Sequence, residues 1–310
     1  MQYTTLGRTG LRVSRVGLGC GGPSRLGQTY GRSLEDSKRV IARALELGIN
    51  FFDTAESYGT EAVLGEALSE AEGGRDALVS TKKGVWDSAA KRFCTPEELQ
   101  QSIDASLGWL GRERIDVYHV HGLEIGHVEH ALANVVPVLD AARRAGKIRH
   151  LAVSEAFMSD TRHATLRRLL EQTDVFDVMM VGFNFLNPSA RRVVLPATER
   201  LGIGTLIMFA VRRALTNPAR LREVLGELIE RGELPRELDG DSPLGFLGDV
   251  RDAAYRFCMH EPGADLVLTG TGSVEHLEQN VKSLSSPPLC AAQLAELERL
   301  FGGIESVSGH

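Results

Sequence analysis

Three apolar, strand-like runs of this 310-residue chain end on ionisable residues: Asp53 closes "INFFD", Lys82 closes "ALVSTK" and His121 closes "IDVYHVH". Tyr58 follows the first of them by five residues, in "TAESYG". A carboxylate, an ammonium, an imidazole and a phenol are groups that move or hold protons at a reacting atom. Each has an ordinary structural role when taken alone. A strand-end Asp caps the next helix, a Lys is solvated, and a Tyr beside a turn packs half-buried. Their arrival together at successive strand ends is what singles them out. The third run also carries His119, two residues before His121 and so on the same side of a strand. Such a pair can supply two ligands to a metal-dependent barrel hydrolase. Further His, Asp or Glu ligands are then needed at later strand ends, but those runs close on Ser154, Asn184, Ala210 and Gly270, while His150 begins its strand and His163 falls in a helical pattern.

These residues need a frame that brings strand ends together. Short apolar runs alternate with helical patterns along the chain: "VGLGCG", "INFFD", "ALVSTK", "IDVYHVHG", "IRHLAVS", "FDVMMVGFN", "GTLIMFA" and "ADLVLTG" each lead to a helix, giving eight strand-helix units. Strands that are apolar throughout are parallel and covered by helices, and eight units match a closed (β/α)₈ TIM barrel. Catalytic groups of such a barrel stand at the C-terminal ends of its strands. Helix starts are marked by Ser33 with Asp36 and by Thr95-Pro96 with Glu98, where a hydroxyl and a carboxyl three residues on satisfy first-turn amides. "NPSARRVVLPATERLG" reads as one helix, and "LPRELDGDSPLG" as a long loop before the last strand. A rival open sheet rests on Gly17, Gly19 and Gly22, which satisfy GxGxxG. A true fingerprint opens a helix at its glycines, whereas these run into Pro23, and no helical pattern begins before Ser33. We expect a single domain over 1–310.

Composition narrows the partners. The chain is 43% hydrophobic and 25% charged, as ordinary globular domains are, with a formal charge of −6. An acidic balance without basic clusters points away from nucleic acid and anionic membrane surfaces. Cys20, Cys94, Cys258 and Cys290 lie far apart with no CxxC, so a disulfide framework or thiolate metal site is not indicated, and a reducing cytoplasm is expected. No apolar run reaches the length of a membrane span, and no targeting segment is read at the start. A small molecule is the expected partner.

In order and spacing, "GLGCGG", "INFFDTAESYG", "LVSTKKG", "IDVYHVHG", "AARRAGKIRHLAVS" and "GTGSVEHLEQN" resemble the successive motifs of the aldo-keto reductases over nearly the whole chain. The resemblance implies a (β/α)₈ barrel with a short N-terminal β-hairpin around "YTTLGRTGLRVS" and a nicotinamide cofactor across the strand ends. It implies an oxidoreductase exchanging a hydride between that cofactor and a carbonyl or alcohol, with Asp53, Tyr58, Lys82 and His121 as its catalytic tetrad. The motif sets the lysine directly after Thr81, hence Lys82 and not Lys83. A free phenol, with a pKa of about 10, exchanges protons reluctantly at neutral pH. An ammonium at Lys82 would favour its ionised form, Asp53 would keep that ammonium charged, and His121 would orient the substrate oxygen. Some members of the family act as non-catalytic subunits, which is the alternative reading.

The resemblance also implies cofactor contacts, with departures. The usual Ser-Asn pair that holds the carboxamide reads Ser154-Glu155, and the usual glutamine of the sixth strand is Met180. The stacking aromatic becomes Met208 or shifts to Phe209. Arg212 and Arg213 follow where a pyrophosphate would lie. Gly270, Thr271 and Gly272 precede a helix start suited to an anion. The basic pair for a 2′-phosphate becomes Gly270 and His276, while Gln279 and Asn280 match adenine contacts. NADP(H) is expected, with NAD(H) as the alternative. The carbonyl substrate is set by loops "PSRLGQTYGR", "WDSAAKRF" and 232–246, with Trp86 and Phe93 as candidate pocket walls.

Overall fold

The computed structural model describes residues 1–238 and 243–310; residues 239–242 of the loop read in "LPRELDGDSPLG" lie outside the described residues. The chain opens with an antiparallel hairpin of β1 (Tyr3–Thr5) and β2 (Arg12–Ser14). The strands β3 (Val16–Gly19), β4 (Phe51–Asp53) and β5 (Leu78–Gly84) follow, then a small hairpin of β6 (Trp86–Asp87) and β7 (Arg92–Phe93). After it come β8 (Ile115–Leu123), β9 (Ile148–Glu155), β10 (Val178–Gly182), β11 (Gly204–Met208) and β12 (Leu266–Thr269). β3, β4, β5 and β8 to β12 are parallel neighbours in chain order and close on themselves when β12 pairs with β3. The closed eight-stranded barrel and its N-terminal hairpin are those expected from the sequence.

Neighbouring residues show why each strand is apolar along its whole length. Phe51 packs inside the barrel and Phe52 packs under the helices, both fully buried; Met180 and Met179 divide in the same way. The inner cluster joins Phe51, Val117, Ala152, Val178, Leu206 and Leu266 to Leu6, Leu11 and Val13 of the hairpin, which plugs the barrel. Burying each large side chain stabilises by roughly 1.5–3 kcal/mol. The plug needs Gly7 at the hairpin turn, since φ there is +46° and a Cβ would lie 2.2 Å from the Gly204 nitrogen.

The covering helices are α1 (Leu34–Glu46), α2 (Glu61–Glu70), α3 (Pro96–Leu110), then α4 (Val128–His130) and α5 (Val136–Arg144), joined by a π-helical turn at 131–135. They continue with α6 (Ala164–Gln172), α7 (Ala190–Val193), α8 (Leu195–Leu201), α9 (Arg213–Thr216), α10 (Pro218–Glu230), α11 (Val250–Met259), α12 (Val274–Leu284) and α13 (Ala291–Phe301). Both anticipated capping boxes form, Ser33 with Asp36 and Thr95 with Glu98. The helix read through "NPSARRVVLPATERLG" is instead two, broken at Val194 just before Pro196, a residue that can give no helical N–H bond. α11 and α13 were not anticipated. His163 precedes α6 in a left-handed conformation rather than lying within a helix. No helix among the described residues is long and apolar enough to cross a membrane.

Candidate active site

Side-chain alternation along the strands decides which residues meet. Phe51 points into the barrel, so Asp53 two residues on does the same, and its register partner is Ser80 of β5. Ser80 and Lys82 share that inward face. Asp53 accepts from Lys82 Nζ at 2.7 Å on both oxygens and from Ser80 Oγ at 2.8 Å, while Lys82 Nζ also donates to the Thr54 carbonyl at 2.6 Å. Both members of the pair are buried, Lys82 at 1% exposure. Burial opposes charging Lys82, but the attraction of Asp53 and of Tyr58 outweighs it and carries the lysine above its ordinary value. Burial pushes Asp53 upward against Lys82 and Ser80. An ammonium and a hydroxyl donating to its two oxygens is the environment of a carboxylate. Lys83, on the opposite face, pairs with Glu56 at 2.8 Å and leaves the site to Lys82.

Tyr58 ends a 3-10 turn at Glu56–Tyr58, released by Gly59 at φ +69°. Its hydroxyl lies 3.3 Å from His121 Nε2, and Lys82 Nζ stands 5.0 Å from its ring centre. β5 and β8 both run past the residues read as their ends, to Gly84 and Leu123, and Gly84 pairs with His121. Burial and then the Lys82 ammonium push the His121 imidazole down to about 3, so it is neutral at physiological pH. A kcat/KM profile between pH 5 and 8 should therefore lack an acid limb from His121; a histidine titration assigned to His121 by NMR in that range would contradict this. His119 is fully buried against the Val153 backbone, and burial holds it well below the usual histidine value. No group of three or more His, Cys, Asp or Glu suited to a metal ion occurs among the described residues.

Gly21 was passed over in the glycine run, yet it seats the phenol. A Cβ there would lie 2.2 Å from Tyr58 Cε2. Gly21→Ala should displace the ring and lower kcat by about ten- to a hundredfold, since misplacement of a reacting group by 1 Å costs on that order. Steady-state kinetics with unchanged thermal unfolding would check it.

The residues matched to cofactor contacts gather at the same barrel end but stand in different states. Ser154 Oγ accepts from Gly122 N at 2.8 Å. Met180 is buried in the inner cluster, with half-buried Met208 against it. Phe209 adopts φ +67° and carries the Arg212 guanidinium 4.0 Å from its ring centre. Arg212 contacts His310 Nδ1 at 3.0 Å and has a buried Nε with no partner, while exposed Arg213 opens α9. A buried guanidinium N–H without an acceptor fits an anionic group, such as a dinucleotide pyrophosphate. Gly270 and Thr271 follow β12, and Gly272 meets Gly27 so closely that a Cβ would lie 2.2 Å from its Cα. His276 and Gln279 are exposed on α12, and Gln279 accepts from Arg251. Asn280 turns inward and donates to Thr269 Oγ1 at 2.9 Å.

Glu155 is occupied by a partner that sequence patterns gave no sign of. Its two oxygens lie 3.0 Å from His163 Nδ1, and Oε1 accepts from Gly182 N at 2.7 Å. Burial pushes this carboxyl upward against the pull of His163 and of the Gly182 amide. Trp86 and Phe93 meet edge to face on the β6–β7 hairpin, joined by stacked His127 and His130. Trp86 remains 41% exposed beyond the end of β5.

Residues 17–301 match the model of the aldo/keto reductase family. The chain is 28% identical to an L-galactose dehydrogenase of Arabidopsis thaliana, covering 99% of this chain and 97% of that protein. It is 22% identical to the "uncharacterized oxidoreductase YqkF" of Bacillus subtilis, over 96% of each. Among solved structures it superposes on the aldo-keto reductase AKR11C1 of Bacillus halodurans, holo form, with a TM-score of 0.73 and 20% identity, covering 99% of this chain and 98% of that one.

Proposed function

The chain belongs to the aldo/keto reductase family, and from that premise we propose that it reduces an aldehyde, ketone or sugar carbonyl, or oxidises the matching alcohol, with Tyr58 as general acid and base. Family and fold support an NAD(P)-dependent oxidoreductase. The observation that carries the finer reading is the Tyr58 hydroxyl 3.3 Å from His121 Nε2, beside a buried Lys82 held by Asp53.

The hydride would be supplied or taken by a nicotinamide cofactor when one is bound. The chain's own groups handle the oxygen. Tyr58 passes its proton to the carbonyl oxygen as negative charge develops there. The Lys82 ammonium offsets the charge left on the phenolic oxygen, and Asp53 keeps that ammonium in place and protonated. Neutral His121 shares a hydrogen bond with the substrate oxygen and adds no second positive charge beside Lys82. Arg212 would hold the pyrophosphate, and Gly270 to Gly272 with the start of α12 would meet the adenosine end. NADP(H) is the expected cofactor and NAD(H) the alternative; His276 is the basic residue left near the 2′ position.

Fluorescence titration with NADPH and with NADH, followed by assays on simple aldehydes, ketones and aldoses, tests this. The Arabidopsis relative is named for L-galactose, which puts aldoses among the first substrates to try. Saturable binding of either cofactor with turnover of a carbonyl or alcohol is expected, and binding of neither would overturn the reading.

A further inference from the structure

The proton positions around His163 follow from its neighbours. Ser189 Oγ lies 2.5 Å from Asn187 Oδ1, and two oxygens that close need a proton between them. An amide oxygen has none to give, so the serine proton lies there, and Ser189 Oγ faces His163 Nε2, at 3.0 Å, only as an acceptor. Nε2 therefore carries a proton. On the other side Nδ1 sits 3.0 Å from each Glu155 oxygen, the even sharing of an N–H by a delocalised carboxylate, whereas a carboxylic acid would offer one short O–H contact. These contacts fit a His163 that donates from both nitrogens, as an imidazolium paired with the Glu155 carboxylate, and both side chains are wholly buried. The other charged group acting on Glu155 is Asp160, whose carboxylate accepts from the first amides of α6.

This pair stands behind the strand ends. Glu155 closes β9 beside Leu123, two residues beyond His121, and reaches Gly182 at the end of β10. Phe157 stacks on His163 with ring centres 5.2 Å apart and meets Phe209 edge-on at 5.5 Å. Gly182 makes room for it, since a Cβ there would lie 2.1 Å from the Phe157 ring. An oxidised nicotinamide ring carries a positive charge that the reduced ring lacks, so an uncompensated carboxylate at this depth would favour the oxidised cofactor. We propose that His163 cancels the charge of Glu155 behind the nicotinamide subsite and so sets the balance between oxidised and reduced cofactor. The proposal rests on the hydride-transfer reading above and makes His163 a positioning residue.

The test is the ratio of dissociation constants for reduced and oxidised cofactor, measured by fluorescence and calorimetry over a rising pH series, because burial raises the Glu155 carboxyl and delays its ionisation once the imidazolium is gone. His163→Gln should raise that ratio by about tenfold or more in favour of the oxidised form, a difference of about 1.4 kcal/mol. Glu155→Gln combined with His163→Gln should return it to near the parent value. A ratio unchanged in the single variant, or not restored in the double, overturns the proposal. ¹⁵N spectra of the parent protein at neutral pH give a check that needs no variant to fold: both His163 nitrogens should show imidazolium shifts, and a neutral-ring pattern overturns it. Imidazolium shifts in a protein that binds neither cofactor would leave the ion pair standing while removing both its proposed role and the hydride-transfer reading.

Discussion

Replacing Tyr58 with phenylalanine is expected to lower kcat for carbonyl reduction by roughly 10²- to 10⁴-fold, the contribution of a positioned general acid, while leaving cofactor affinity within a few-fold. The change removes one hydroxyl whose hydrogen-bond partner is His121 Nε2, and leaves the ring, its seat on Gly21 and the Lys82–Asp53 pair in place. Nothing that would hold a dinucleotide is touched. Loss of transition-state stabilisation without loss of binding appears as equal falls in kcat and kcat/KM. Stopped-flow single turnovers with pre-bound cofactor would separate the chemical step from release. A variant that keeps near-parental kcat would remove Tyr58 from the mechanism and leave neutral His121 as the remaining group near the oxygen.

How far this site could be read in advance depends on whether its contacts follow strand periodicity. Asp53 was legible because an apolar run stops on it, and Lys82 was preferred to Lys83 because the resembled motif sets the lysine directly after Thr81. Strand alternation divides the two in the structure, Lys82 going in to Asp53 and Lys83 out to Glu56. Capping boxes at Ser33 and Thr95 were legible for the same local reason. Contacts between distant loops were not. Glu155 stood out as a departure from the family pattern, but its partner His163 is placed by a left-handed backbone before α6, and Ser189 arrives from the turn leading to α7. No period or spacing relates these three. Gly21 was likewise hidden inside a glycine run, where the close approach of Tyr58 is a tertiary fact. α11 was missed although Arg251, Asp252 and Arg256 share one polar side of it, and its Asp249 cap follows a 3-10 turn at Gly245–Leu247 rather than a strand.

Asp53→Ala should destabilise the fold by about 3–5 kcal/mol, because it strands an ammonium in a buried site, whereas removing both charges in Asp53→Ala with Lys82→Met should recover most of the loss. The direct donors to Asp53 explain the size. Lys82 would keep only the Thr54 carbonyl, and Ser80 would lose its acceptor. The sign of the pH dependence separates this account from a simple packing defect. In the parent Lys82 is raised by its partner, so its contribution is fully present below the unfolded lysine value and is lost as pH rises through the folded one. In Asp53→Ala burial is left as the largest influence on Lys82, opposed by the smaller pull of Tyr58, and lowers the lysine, so the unfolded chain binds more protons and stability rises with pH over the alkaline range. Urea unfolding at pH 7 and near pH 10 should therefore show the gap between parent and single variant narrowing as pH rises, with the double variant nearly flat. A gap that stays constant would mean that Lys82 is not held as a cation by Asp53, and the charge that the proposed mechanism sets beside Tyr58 would have to come from elsewhere.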